Sequence, residues 1–155
     1  MTDVLSKEQR HKNMQNIKGT DSRPEVVLRK ALWSKGHRYR KNYKKLPGKP
    51  DIVFPKYKLC VFVDSEFFHG KNFDNGYESK KYNSLREQLE NSDNSEFWLN
   101  KIKRNMERDG EVNLKLQNSG WTVIRFWSKE ALKHTDNYGL EIEKVLNSKE
   151  QGTSD

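Results

Sequence analysis

At 155 residues, with 32% hydrophobic and 34% charged positions, the chain can build one domain around one compact core and is too short for a second catalytic domain. Its net charge of +8 is unevenly spread, since residues 1–50 hold 14 Lys and Arg against 4 Asp and Glu while residues 51–155 hold 16 against 18. One cysteine, Cys60, excludes an intramolecular disulfide, and the polar start and the lack of a long apolar run argue against a signal peptide or a membrane span, so cytoplasmic residence is expected.

The positive field belongs to the N-terminal third. Such a field concentrates polyanions, nucleic acid first among them, although a merely solubilising basic surface reads the same way. Residues 1–20 are rich in Lys, Asn and Gln, with Met14 and Ile17 as isolated apolar points. They suit a short amphipathic helix or a basic arm that orders on a partner. A firmer helix begins near Ser22, with Ser22 as N-cap, Pro24 in the first turn and Glu25 at the capping-box position; Gly36 ends it. A basic extended stretch, 37–45, leads into the turn Leu46-Pro47-Gly48-Lys49-Pro50.

Two strands follow, 51–54 and 59–64, joined by Pro55-Lys56-Tyr57-Lys58. The second is almost continuously apolar, which predicts a strand covered on both faces and a buried Cys60 thiol. Residues 70–95 read as a long polar loop with a short helix through Leu85 and Leu89. The strongest helix spans 97–116, with Trp98, Ile102, Met106, Asp109, Val112 and Leu116 at spacings of three and four. A strand over 121–127, a helix over 137–147 and a frayed tail complete the chain. The expected organisation is an arm (1–20), one α/β domain (21–148) and a flexible tail (149–155).

Asp51 opens one strand and Asp64 closes the next, so a hairpin brings both carboxylates to the same end. His69 lies five residues beyond Asp64. Carboxylates can hold Mg²⁺, and a neutral imidazole can take a proton from a polarised water, which together suffice for phosphodiester hydrolysis. Each residue also has a bland reading: Asp51 as a turn residue, Asp64 as a loop cap, Glu25 as half of a capping box.

A resemblance extends these observations. Lys12-Asn13-Met14, Ile17, Pro47-Gly48-Lys49-Pro50-Asp51-Ile52-Val53-Phe54, Val61-Phe62-Val63-Asp64, Phe67-Phe68-His69-Gly70, Glu96-Phe97-Trp98, Glu107-Arg108-Asp109, Gly120-Trp121 and Val123-Ile124-Arg125-Phe126-Trp127 resemble, in order and nearly in spacing, the very-short-patch repair mismatch endonucleases. The resemblance implies a restriction-endonuclease-like fold, a mixed central sheet flanked by helices. It implies Mg²⁺ held by Asp51 and the backbone carbonyl of Val63, with Asp64 as a further ligand or as an acceptor behind the ligands. His69 would act on the attacking water and Glu25 would organise metal-bound water. Phe67, Phe68 and Trp98 would wedge into the duplex beside a mismatch, and Lys12, Met14 and Ile17 would approach from the other groove. Unstacking a base step costs a few kcal/mol, less at a mismatch. If the chain is extended at Phe67-Phe68, alternation forbids both rings from pointing inward; a purely core role for all three aromatics is the rival reading.

The implied activity is nicking of double-stranded DNA at or near a thymine–guanine-type mismatch by a monomer, with DNA repair or methyltransferase partners. A sequence-specific restriction or defence endonuclease and a catalytically silent module that binds distorted DNA are the alternatives. The family's structural zinc is not expected, because its ligand positions hold Glu66, Lys71, Phe73 and Lys129. Glu66 and Lys129 are a candidate ion pair in its place. The segment 76–94 is longer than the family pattern, which shifts expectation away from strict thymine–guanine specificity.

Overall fold

The computed structural model describes residues 21–74 and 81–152, with side chains to residue 150. Lys12, Met14 and Ile17, the residues assigned to the arm, lie outside the described residues. Four strands form one mixed sheet in the order β1-β2-β3-β4: β1 (Arg40–Lys41), β2 (Ile52–Phe54), β3 (Leu59–Asp64) and β4 (Thr122–Trp127). β1, β2 and β3 pair antiparallel, whereas β3 and β4 run parallel. Among the described residues the α-helices are α1 (Arg23–Ser34), α2 (Leu85–Glu90), α3 (Ser95–Asn118), α4 (Ser128–Lys133) and α5 (Thr135–Gly152).

The α/β expectation therefore holds, and the apolar run predicts its own position. All six residues of β3 are buried. Alternation sends Leu59, Val61 and Val63 into one cluster with Ile52, Phe54, Leu28 and Leu32 of α1, and Ile142 and Leu146 of α5. Cys60 and Phe62 face the other way, onto Val53 and onto Val112 and Leu116 of α3. Covering both faces is what a parallel pairing requires. Burial pushes the Cys60 thiol up to about 11, so it behaves as a small apolar side chain.

α1 starts at the predicted place with a different cap. Ser22 makes no side-chain capping bond, and the Glu25 carboxylate instead accepts the N–H of Asp21, at 3.0 Å. Glu25 is drawn inward, only 4% exposed, beside the equally buried Arg29. At the other end Gly36 adopts φ 91°, which lets His37 N–H reach back to the Leu32 carbonyl at 3.1 Å.

The turn before β2 is pinned onto α3. Gly48 has φ 75°, and a Cβ there would stand 2.6 Å from Val112 Cγ1. Only glycine meets both demands. α3 extends beyond 97–116 at both ends, and α5 runs from Thr135 through Gly152, further than the predicted 137–147. α4 was not anticipated. Its start is held by Glu66, far away in sequence, whose carboxylate accepts Ser128 Oγ–H at 2.6 Å and Lys129 N–H at 2.9 Å. The expected Glu66–Lys129 pair is thus a helix cap through the backbone and not an ammonium pairing, because a carboxylate at a helix start satisfies otherwise orphaned donors. At the other family zinc positions Phe73 is buried in a third cluster with Leu85, Leu89 and Ile102, and Lys71 sits 6.0 Å from the Trp127 ring.

Candidate active site

The turn 46–50 delivers Asp51 to the edge of β2, where its N–H bonds the Val61 carbonyl at 3.1 Å. Its carboxylate then reaches across the hairpin and accepts the N–H of Val63 at 2.7 Å. Asp51 is thereby fixed against β3 one residue before Asp64, as the hairpin argument anticipated. Glu25 joins from α1. Burial, then the Glu25 charge, pushes the Asp51 carboxyl up to about 7, against the opposing pull of the Val63 N–H. No Lys or Arg among the described residues pairs with Asp51. Arg29 lies 3.4 Å from Glu25, and 2.7 Å from Asp21, so it steadies Glu25 from behind.

These acids line an open cleft of ≈ 1060 Å³ together with Val63, Phe68 and His69, with Arg23, Lys30 and Lys49 also in its walls. Two clustered carboxylates with one raised proton affinity form an oxygen-rich donor set that suits a hard divalent cation, which would displace the proton.

The second half of the site is built differently. His69 Nδ1 is 2.6 Å from Asp109 Oδ2 and 3.8 Å from Asp64 Oδ1. Burial pulls the imidazole pKa down, but the Asp109 hydrogen bond and the charges of Asp64 and Asp109 outweigh it, so the net shift is upward. Asp64, Asp109 and His69 bring ligand atoms within 4.8 Å of one another. A guanidinium already serves this group: Arg125 Nη1 donates to both Asp64 oxygens at 3.0 and 2.9 Å, and lies 3.6 Å from Asp109 Oδ1. Its Nε donates to Asn113 Oδ1 at 2.8 Å. Burial raises the Asp64 carboxyl even so, against the charges of His69 and Arg125.

Sequence reasoning brought Glu25, Asp51, Asp64 and His69 to one cleft. It missed Asp109, Arg125 and Arg29. The signal for Asp109 was present: an acid among Ile102, Met106, Val112 and Leu116, on the apolar stripe of α3. Arg125 similarly interrupts an otherwise apolar strand.

Phe68 lines the cleft, and Phe67 and Trp98 pack with it against the cluster of Phe73, Leu85, Leu89 and Ile102, with ring centroids 5.2 Å apart for the Phe pair and 5.5 Å for Phe67–Trp98. All three are half-buried. The chain turns here, with His69 N–H bonded to the Ser65 carbonyl and Gly70 N–H to that of Phe67, so the two-face alternation argument for Phe67-Phe68 does not apply. Asn105 Nδ2 donates to the Phe68 carbonyl at 2.9 Å and ties this turn to α3. Phe97, 5.2 Å from Trp98, extends the aromatic series and is 59% exposed.

The family model described as DNA mismatch endonuclease Vsr matches residues 2–75. A type II nicking enzyme, V.NmeDIP of Neisseria meningitidis serogroup C, is 44% identical over 152 residues, covering 98% of this chain and 95% of that protein. The type II nicking enzyme V.HpaIIP of Haemophilus parainfluenzae is 41% identical over 145 residues, covering 93% and 95%. The DNA mismatch endonuclease Vsr of Escherichia coli is 34% identical over 127 residues, covering 82% and 74%. The chain belongs to the Vsr family. It is accordingly a DNA endonuclease, a phosphodiester hydrolase on a restriction-endonuclease-like fold. Among the described residues no helix is long and apolar enough to cross a membrane.

Proposed function

We propose that this Vsr-family protein nicks one strand of double-stranded DNA at or near a mismatched base pair, of thymine–guanine type, in a Mg²⁺-dependent reaction that leaves 5′-phosphate and 3′-hydroxyl ends. The observation that carries the reading is the pairing, in one open cleft, of a cation-seeking acid pair, Glu25 and Asp51, with an imidazole held by a carboxylate. Asp51 and the Val63 carbonyl would hold Mg²⁺, with Asp64 nearby but committed to Arg125. Bound there, the ion would polarise the attacking water and neutralise charge on the departing oxygen. His69 would take a proton from the attacking water on Nε2 while Asp109 accepts the Nδ1–H, which sets the tautomer and the ring's orientation. Glu25, steadied by Arg29, orients water on the acid side. Arg23, Lys30 and Lys49 offer charge to flanking phosphates.

Phe67, Phe68 and Trp98 supply the apolar wedge beside the mismatch, and Lys12, Met14 and Ile17 the arm. The names of the relatives, nicking enzymes and a mismatch endonuclease, support single-strand cleavage. We take the protein to act as a monomer in a repair setting, with DNA repair proteins or a methyltransferase as partners. The test is an end-labelled duplex carrying a thymine–guanine pair, its matched counterpart, and Asp51→Ala as control, each with Mg²⁺ or a chelator. One nick beside the mismatch, absent with Asp51→Ala and with chelator, is expected. Equal cleavage of matched duplex would favour a restriction or defence enzyme, and binding to the mismatch without cleavage a silent module.

A further inference from the structure

The cluster of Asp64, His69 and Asp109 has the composition of a second metal site, yet its charge is already met from within. Arg125 sits on β4 beside Phe62 in the parallel register, its guanidinium carbon 4.0 Å from the centre of that ring. Its other neighbours are polar: both Asp64 oxygens, Asn113 Oδ1, and at 3.6 Å Asp109. Asp109 and Asn113 are one turn apart on α3 and meet Arg125 from the same side. The side chain is only 18% exposed. A guanidinium is a fixed positive charge, unlike a bound ion that can leave.

We propose that Arg125 is a built-in cation: it occupies the charge of the Asp64–Asp109 pair, keeps divalent ions out of that cluster, and positions His69 through the two carboxylates. Metal binding is thereby confined to the Asp51 side of the cleft. This deepens the nuclease reading and rests on it for the role of His69, but ion binding can be counted without DNA or turnover. Arg125 Nη1 contacts both oxygens of Asp64, and Asp109 turns Oδ1 toward Arg125 and spends its Oδ2 on His69. A divalent ion in the cluster would stand against a fixed positive charge within ion-pair distance of its ligands.

Saturable Mn²⁺ binding to the full chain is the direct test, read by the loss of the free-ion electron paramagnetic resonance signal. Wild-type binding is expected to vanish with Asp51→Asn and to be unchanged by Asp64→Asn. Arg125→Met is expected to add a second class of Mn²⁺ site that Asp64→Asn removes again, whereas Arg125→Lys, which keeps the charge, adds none. Loss of wild-type Mn²⁺ on Asp64→Asn would place an ion in the cluster and overturn the proposal. So would Arg125→Met that gains no site. If Arg125→Met does not fold, the Asp64→Asn comparison on the wild-type background decides alone. A chain that binds no Mn²⁺ at Asp51 would sink the Mg²⁺ reading and the confinement of metal to that side, while a Mn²⁺ site gained by Arg125→Met and lost again with Asp64→Asn would still support Arg125 as the cation of the cluster. For positioning, Arg125→Lys should lower kcat about tenfold with KM for the duplex unchanged, because misplacing a reacting group by an ångström costs up to about a hundredfold. An unchanged kcat would remove the positioning role.

Discussion

The two halves of the cleft use the same kinds of side chain to opposite ends. On one side Asp51 and Glu25 stand together, and burial, then the Glu25 charge, lifts the proton affinity of Asp51 to about 7 against the pull of the Val63 N–H. On the other, Asp64 and Asp109 are matched by Arg125 and His69 in one connected network. In the first half Arg29 meets Glu25 and leaves the Asp51 carboxylate with no cation among the described residues, which suits a hard cation, whereas the second half supplies its own counter-charge. Clustered acids therefore indicate a metal only after the cations around them have been counted.

Substitutions at the two halves should separate this contrast. The largest effect is expected from Asp51→Asn, which should reduce Mg²⁺-dependent nicking by about 10³-fold or more, since the ion's several kcal/mol of charge stabilisation disappears with its ligand; residual nicking within tenfold of wild type would break the assignment. Asp109→Asn should lower kcat by about 10²-fold, within the range of a lost proton-transfer group. It should also carry a pH signature. Asp109 raises the His69 pKa, so a rate that needs neutral imidazole rises with pH through that raised value, and the midpoint should move to lower pH in the variant. An unmoved midpoint would detach His69 from the rate.

Stability offers the next test. Arg29 and Glu25 are both under 10% exposed, with side-chain values of 7% and 6%. Arg29→Met leaves a buried carboxylate without its partner and should cost about 3 kcal/mol in urea unfolding; a loss within error of zero would mean that Arg29 is incidental to Glu25. The smallest shift should appear in thermal melts without metal. Folded Asp51 keeps its proton up to about pH 7 while an unfolded aspartate loses it near 3.8. The folded state thus binds more protons between these values, and stability falls as pH rises through that window. Wild-type Tm should drop from pH 5 to pH 8 relative to Asp51→Asn, and Mn²⁺ should restore it more at pH 8 than at pH 5. A parallel pH dependence in the two proteins would show that Asp51 is not strained.

Local pattern carried much of this protein. The apolar run 59–64 implied a central strand, the two short strands implied a hairpin, and a hairpin left Asp51 and Asp64 no choice but to share an end. Those inferences worked because a strand alternates faces and a short connection reverses direction, rules that operate within about ten residues of chain. Failures came wherever a partner lay far away. Glu66 holds the start of α4 from 62 residues away, measured to Ser128, which no local signal for a helix at 128–133 could reveal. The Ser22 side chain makes no cap, and the Glu25 carboxylate bonds Asp21 N–H and Arg29.

What the sequence by itself determined, then, was the sheet's centre, the helical stripes, and the acids and imidazole that face one opening, all properties of periodicity and short loops. Only the tertiary structure decided which charges cancel. His69 meets Asp109 across 40 residues and Asp64 meets Arg125 across 61. Coulombic energies depend on separations of a few ångströms and on the water excluded around them, and neither is written in the spacing of residues along the chain.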